Sequence, residues 1–244
     1  MLTVSGQPVK SVSHCAVPGH WLLERACHRV LTSARTELNQ NERHTSGDAG
    51  MNQHPVQVVI FGASGDLTAR KLIPALVDNA RRGAFGVPVQ VIGVARRPKT
   101  AQQWRDELFE WLSPKQRAVW AAFSPNVYYL QCDVSKAAAY RELADDLDEL
   151  AAEFAGTCGR LFYLALAPRL FAGTVQGLSK SGMLESDPLR DESWRRIVIE
   201  KPFGTDLGTA QWLNLVLRKH LREDQIYRID HYLGKETVQN LLAF

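Results

Sequence analysis

No apolar run in the sequence approaches the roughly 20 residues that a membrane-spanning helix needs, so no membrane partner is expected. Strong charge of either sign is missing too. The formal net charge is +3, too small to argue for nucleic acid or an anionic surface as a partner. Cysteine is scarce: Cys15, Cys27, Cys132 and Cys158 form no Cys-x-x-Cys pair. That usage argues against a disulfide framework and points to a reduced, cytoplasmic protein.

Sustained periodicity is absent from residues 1–50, apart from a patch at Trp21 to Leu31. The segment ends in a polar run, Asn39 to Gly50, and reads as a disordered or non-native arm. His14, Cys15, His20, Cys27 and His28 fall at no structural-zinc spacing, so no metal is expected. The shortage of early acidic residues also suits a transit peptide. A further reading makes Met51, just ahead of the first core strand, the true start.

From residue 55 the pattern changes. Val56 to Phe61 is a short apolar run without polar alternation, as a strand buried on both faces requires. Similar runs follow at Val89 to Ala95, Val127 to Gln131, Arg160 to Ala165 and Arg196 to Glu200. Helical spacing fills the intervals at Asp66 to Arg82, 101–122 with a break at Ser113-Pro114, Lys136 to Phe154, Phe171 to Ser181, and Asp206 to His220. Strict alternation predicts an α/β fold: a doubly wound, Rossmann-like parallel sheet with helices on both faces. Trp104, Trp111 and Trp120 are expected to serve as core or lid packing for a helical pair, and His220 at a helix end is given no function.

Gly62-Ala63-Ser64-Gly65-Asp66-Leu67 joins the first strand to the first helix. Glycines let a backbone approach phosphates, and a helix N-terminus offers unpaired N–H groups and a positive dipole end. The spacing departs from Gly-x-Gly-x-x-Gly, and a plain strand-to-helix turn capped by Ser64 or Asp66 remains an alternative. No acidic residue stands at the end of the second strand, where an NAD-binding fold holds the ribose hydroxyl; Arg96 and Arg97 stand there instead. A planar, permanently charged guanidinium suits a 2′-phosphate, so NADP is expected over NAD.

Three stretches carry a resemblance to a known family. GASGDLTARKLIPAL at 62–76, IVIEKPFGTDL at 197–207 and DQIYRIDHYLGKETVQN at 224–240 resemble the nucleotide loop, the Glu-Lys-Pro-Phe-Gly segment and the substrate signature of glucose-6-phosphate dehydrogenases. LFYLALAP at 161–168 is similar to their fourth-strand end, with Ala167 where a second proline is usual. The resemblance covers roughly residues 55–244. It implies NADP-dependent oxidation of glucose 6-phosphate to 6-phosphogluconolactone, which opens the oxidative pentose phosphate pathway. It implies that Gly62, Ala63, Ser64, Gly65, Asp66, Leu67, Arg96, Tyr163 and Lys201 bind the cofactor. Lys71, Lys201, His231, Tyr232 and Lys235 would bind the sugar phosphate. Asp230 would orient a histidine base that lies beyond this chain, and the Lys201–Pro202 peptide bond would be cis.

On that resemblance the chain divides into an arm (1–50), an NADP-binding domain (55–225), and a substrate segment opening a second domain (226–244). The family's second, α+β domain is expected to be missing, because the chain stops inside the apolar run Leu241-Leu242-Ala243-Phe244. NADP binding with weak or absent turnover follows, and a homo-oligomer is expected only for the full-length form. A non-catalytic NADP(H)-binding fragment, sensor or assembly module stays open as the alternative. A short-chain reductase is disfavoured, since neither Tyr140 nor Tyr163 has a lysine four residues on.

Overall fold

A computed structural model describes residues 54–154, 157–186 and 193–229. Six strands form one sheet in the order β3-β2-β1-β4-β5-β6. They are β1 Val56–Phe61, β2 Val89–Ala95, β3 Val127–Gln131, β4 Gly159–Leu164, β5 Arg195–Glu200 and β6 Ile226–Ile229. Every pairing is parallel, with Phe61 opposite both Val94 and Leu164. All six residues of β1 are buried, as befits the central strand of a sheet covered on both sides.

Period-two alternation sorts β1 between two cores. Val56, Val58 and Ile60 face one layer; Val59 and Phe61 face the other. The first layer is built by α1 Ile73–Arg81, α2 Ala101–Phe109 and α3 Pro114–Phe123, through Ile73, Trp104 and Trp120. The second is built by α4 Ala139–Ala151, α5 Phe171–Lys180 and α6 Leu207–His220, through Leu143, Phe171 and Leu217. This is the doubly wound arrangement, whose strand order reverses between β1 and β4.

Local chemistry sets the helix starts. Thr100 Oγ1 accepts from the Gln103 backbone N–H at 3.1 Å, and the Gln103 side chain accepts in return from the Thr100 N–H at 2.9 Å. This reciprocal cap, worth about 1 kcal/mol, fixes where α2 begins. Asp206 and Thr209 form the same box at the head of α6. Asp133 accepts from the Ser135 N–H and hydroxyl at 3.1 and 2.7 Å, so a turn occupies the stretch after β3. For that reason α4 opens at Ala139 and not at Lys136.

Three polar side chains cross the second layer at the opening ends of the strands. Gln57 donates to the Gln90 side chain at 3.0 Å and to the Leu147 carbonyl of α4 at 2.9 Å. Gln90 donates to the Leu150 carbonyl at 3.0 Å, and Arg160 donates to Gln57 at 2.7 Å. A ladder of buried amides and one guanidinium thus ties β1, β2 and β4 to the end of α4.

Two further features depart from the sequence expectation. A strand, β6, pairs with β5 over Ile226–Ile229, inside the stretch read only as a motif. A π-helical turn occupies Thr68–Leu72 ahead of α1, where an unbroken α-helix was expected. The arm at 1–50 and the segment after Ile229 lie outside the described residues.

Candidate active site

The turn after β1 is held against both neighbouring strands. Gly62 and Ala63 donate their N–H groups to the Val94 carbonyl of β2 at 2.9 and 3.2 Å. Gly62 has φ +89°, and a Cβ there would stand 2.1 Å from the Ala165 carbonyl oxygen just past β4. Only glycine gives both that conformation and that approach. The turn closes through Gly65 N–H to the Gly62 carbonyl at 2.8 Å, and Thr68 Oγ1 donates to the same carbonyl at 3.1 Å. Helical bonding then begins with Ala69 N–H to the Gly65 carbonyl at 3.3 Å. The N–H groups of the first helical turn precede that ladder and lack intrahelical acceptors. Ser64 and Asp66 are exposed, and Asp66 pairs with Arg70 at 2.5 Å. This is the geometry of an anion cradle at the point where strand order reverses.

Arg96 and Arg97 follow β2 directly and are exposed on the same edge. Val94, whose carbonyl holds the glycine turn, lies two positions before Arg96, so the cradle and the guanidinium share one end of adjacent strands. The neighbouring strand steadies this second turn. Tyr129 donates its hydroxyl to the Arg97 carbonyl at 2.6 Å, and Gln131 donates to the Arg96 carbonyl at 3.2 Å. Asp133, beyond the end of β3, is a site neighbour that sequence reading overlooked. Its carboxyl is held below the usual range, chiefly by the Ser135 hydrogen bonds, with Lys136 and Arg96 adding positive field. The pairing of β2 and β3, with Ala95 opposite Gln131, is the signal that would have revealed it.

The remaining expected residues divide. Tyr163 is 1% exposed, within the core on β4, and its hydroxyl donates to the Glu200 carboxylate at the end of β5. Lys201 follows Glu200 and is exposed; its N–H donates to the Ile229 carbonyl at 3.1 Å, and the Lys201–Pro202 bond is cis. Lys71 is exposed on the π-helical turn. Tyr163 and Lys201 thus sit at the closing ends of β4 and β5, along the edge that holds the cradle. Asp230, His231, Tyr232 and Lys235 lie outside the described residues, as do His14, Cys15, His20, Cys27 and His28. Among the described residues no cluster of three or more His, Cys, Asp or Glu could hold a metal.

A cavity of about 290 Å³ opens beside the cradle, between Ser64, Gly65, Asp66, Trp104, Glu107 and Trp111. Trp104 and Trp120 are buried, as their packing role requires. Trp111 lies outside the core: it is 46% exposed, and the Arg70 guanidinium stacks 4.5 Å over its ring at the cavity wall.

A family model described as glucose-6-phosphate dehydrogenase, NAD binding domain, matches residues 59–240. Glucose-6-phosphate 1-dehydrogenase of Chlamydia muridarum (strain MoPn / Nigg) is 39% identical over 195 residues, which is 78% of this chain and 38% of that protein. The enzyme of the same name from Bacillus subtilis (strain 168) is 41% identical over 191 residues, again 78% of this chain and 38% of that protein. The chain therefore spans under two fifths of the length of the curated relatives it matches. Among solved structures, a glucose-6-phosphate dehydrogenase in complex with its substrate glucose-6-phosphate aligns with a TM-score of 0.67 at 35% identity, covering 78% of this chain and 39% of that one. Glucose-6-phosphate 1-dehydrogenase from Mycobacterium avium aligns with a TM-score of 0.60 at 32% identity, covering 76% and 41%.

Proposed function

The chain belongs to the glucose-6-phosphate dehydrogenase family, and from that premise we propose that it supplies the NADP site and part of the sugar-phosphate site for oxidation of glucose 6-phosphate to 6-phosphogluconolactone. One observation carries the reading. A glycine turn at a helix head and an exposed arginine at the next strand's end share the edge where strand order reverses. The donor set fits a 2′-phosphorylated dinucleotide: helix N–H groups for the pyrophosphate and the Arg96 fork for the 2′-phosphate. Gly62 supports the fit, because any side chain there would force the turn off the β4 end.

In this reading NADP⁺, when bound, accepts the hydride that leaves C1 of the sugar. The chain's own residues orient and charge-match. The loop from Gly62 to Leu67 fixes the pyrophosphate, and Arg96 selects the phosphorylated ribose. Lys201 and Lys71 present ammonium groups to the sugar side, where phosphate and hydroxyl oxygens need donors. Tyr163 sets the Glu200 carboxylate, and thereby the backbone from which Lys201 extends. His231, Tyr232 and Lys235 are assigned to the substrate phosphate, and Asp230 to orienting the base that takes the C1 hydroxyl proton.

The test compares the wild-type chain with Arg96→Ala by calorimetric titration of NADP and NAD. NADP should bind more tightly to the wild type. Losing a charge-assisted pair worth roughly 1.5–3 kcal/mol should weaken NADP about 10- to 100-fold in the variant while leaving NAD nearly unchanged. Equal loss for both cofactors would remove Arg96 from the site.

A further inference from the structure

We infer that β3 sets the cofactor preference from beneath the site, where Tyr129 and Gln131 hold the arginine turn in place, and that Trp104 joins this support to the phosphate loop that either cofactor would use. The inference rests on the assignment of Arg96 to the 2′-phosphate.

Each of the three side chains grips a backbone carbonyl of a segment assigned to a cofactor phosphate. The Trp104 indole N–H donates to the Ala63 carbonyl, inside the phosphate loop, at 3.2 Å. The ring is 1% exposed and lies against Gly93 of β2 so closely that a Cβ there would stand 2.3 Å from it. Trp104 therefore has a seat fixed by the sheet. Its ring meets the Tyr129 ring at 5.6 Å between centroids, tilted by 55°. Tyr129 then reaches the Arg97 carbonyl with its hydroxyl at 2.6 Å, and Gln131 reaches the Arg96 carbonyl at 3.2 Å.

A continuous path thus runs from Ala63 through two aromatic rings to Arg97. It joins the two segments that would grip opposite parts of one dinucleotide. A guanidinium on a long side chain gains most from a phosphate when its backbone is already held, because less ordering remains to be done on binding. Burial raises the Tyr129 hydroxyl above its ordinary range, with Glu107 adding to the effect and Arg97 opposing it, so the group stays a donor. The Thr100–Gln103 cap fixes the start of α2 three residues before Trp104, which anchors the far end of the arginine turn as well.

The two parts of the path predict different cofactor effects. Tyr129→Phe keeps the ring and removes only the grip on Arg97. It should raise the NADP dissociation constant about three- to tenfold, the range of one lost neutral hydrogen bond, with NAD changed less than about twofold. Trp104→Phe frees the phosphate loop, which both cofactors use, and should weaken both alike. Gln131→Ala alters an exposed side chain and reads the same arginine turn without disturbing the core. It should shift the NADP-to-NAD ratio in the direction of Tyr129→Phe.

The experiment titrates both cofactors into the whole chain, its three variants, Arg96→Ala, and Arg96→Ala combined with Tyr129→Phe. In the Arg96→Ala background Tyr129→Phe should add nothing to the NADP loss, because the two act through one contact. An unchanged NADP-to-NAD ratio in both Tyr129→Phe and Gln131→Ala, or full additivity with Arg96→Ala, overturns the inference while leaving the assignment of Arg96 standing. Wild-type protein that binds NADP no better than NAD overturns that assignment and the inference with it.

Discussion

Gly62→Ala is the sharpest perturbation the structure offers. Two costs act at that position. Placing an L-residue at φ +89° costs roughly 1–2 kcal/mol. The new methyl would also stand 2.1 Å from the Ala165 carbonyl oxygen and 2.9 Å from its carbon. Both are backbone atoms of the segment leaving β4, so no rotamer change relieves them. Forcing such a gap open typically adds about 1–3 kcal/mol. The sum, about 2–5 kcal/mol and centred near 3, is a large part of a domain's usual reserve of about 5–15 kcal/mol. At roughly 2–4 °C per kcal/mol for a domain of this size, melting should fall by about 6–12 °C.

Gly86 supplies the control for that calculation. Its φ is +64°, yet nothing lies within 4 Å of a Cβ built there. Gly86→Ala incurs only the conformational cost, and its melting shift should be about half as large or less. The assay is thermal melting of both variants, followed by NADP titration at a temperature where each is folded. Gly62→Ala should also lose affinity, since the turn must lift from the β4 end, whereas Gly86→Ala should bind as the wild type does. If Gly62→Ala melts with Gly86→Ala and binds NADP normally, the close approach of turn and strand does not set the site.

Two further outcomes follow from the buried polar groups. Arg160→Met leaves the Gln57 carbonyl oxygen without its donor and should cost about 1–3 kcal/mol in urea denaturation, with NADP affinity unchanged because Arg160 lies at the opposite end of β4; a loss of affinity comparable to that of Arg96→Ala would contradict this. Burial, and for Tyr128 also the Glu153 carboxylate, pushes the Tyr128 and Tyr140 hydroxyls up to about 12 in the folded state. A raised folded value means the native state holds these protons more tightly. Their stabilisation is therefore complete below the ordinary tyrosine value of about 10 and is lost as pH climbs from there towards 12. Phenolate absorbance should lag that of the unfolded chain across this window while melting falls; titration of all tyrosines near the ordinary value would refute it.

Period and punctuation made most of the frame readable beforehand. The runs at 56–61, 89–95 and 127–131 coincide with β1, β2 and β3; β1 and β2 are buried at every residue, and a doubly covered strand leaves a continuous apolar signature, whereas β3 at the sheet edge is buried only in part. The break at Ser113-Pro114 separates α2 from α3, and Gly182, with φ +76°, follows α5. Ile226–Ile229 is too short, and too polar at Tyr227 and Arg228, to announce β6; only pairing with β5 makes it a strand. The amides of Gln57 and Gln90 interrupt apolar runs with no local partner, and the carbonyls that receive them on α4 lie 90 and 60 residues away. The same distance in sequence hid the site's supports. Trp104 reaches Ala63 across 41 positions and Tyr129 reaches Arg97 across 32. Residue types at the cradle could be read locally, whereas the side chains that brace it are known only once β3 lies beside β2.

The amide and guanidinium ladder has a bearing on how this sheet tolerates change. It fastens strands to α4 at the end remote from the glycine turn, through bonds that use no loop residue. Stability and recognition are thereby assigned to opposite poles of the same strands. Loops at the recognising pole can lengthen, swap residues or acquire new charge without loosening the fastening at the other. Substitutions near the glycine turn should therefore alter ligand binding while this fastening at the far pole stays intact.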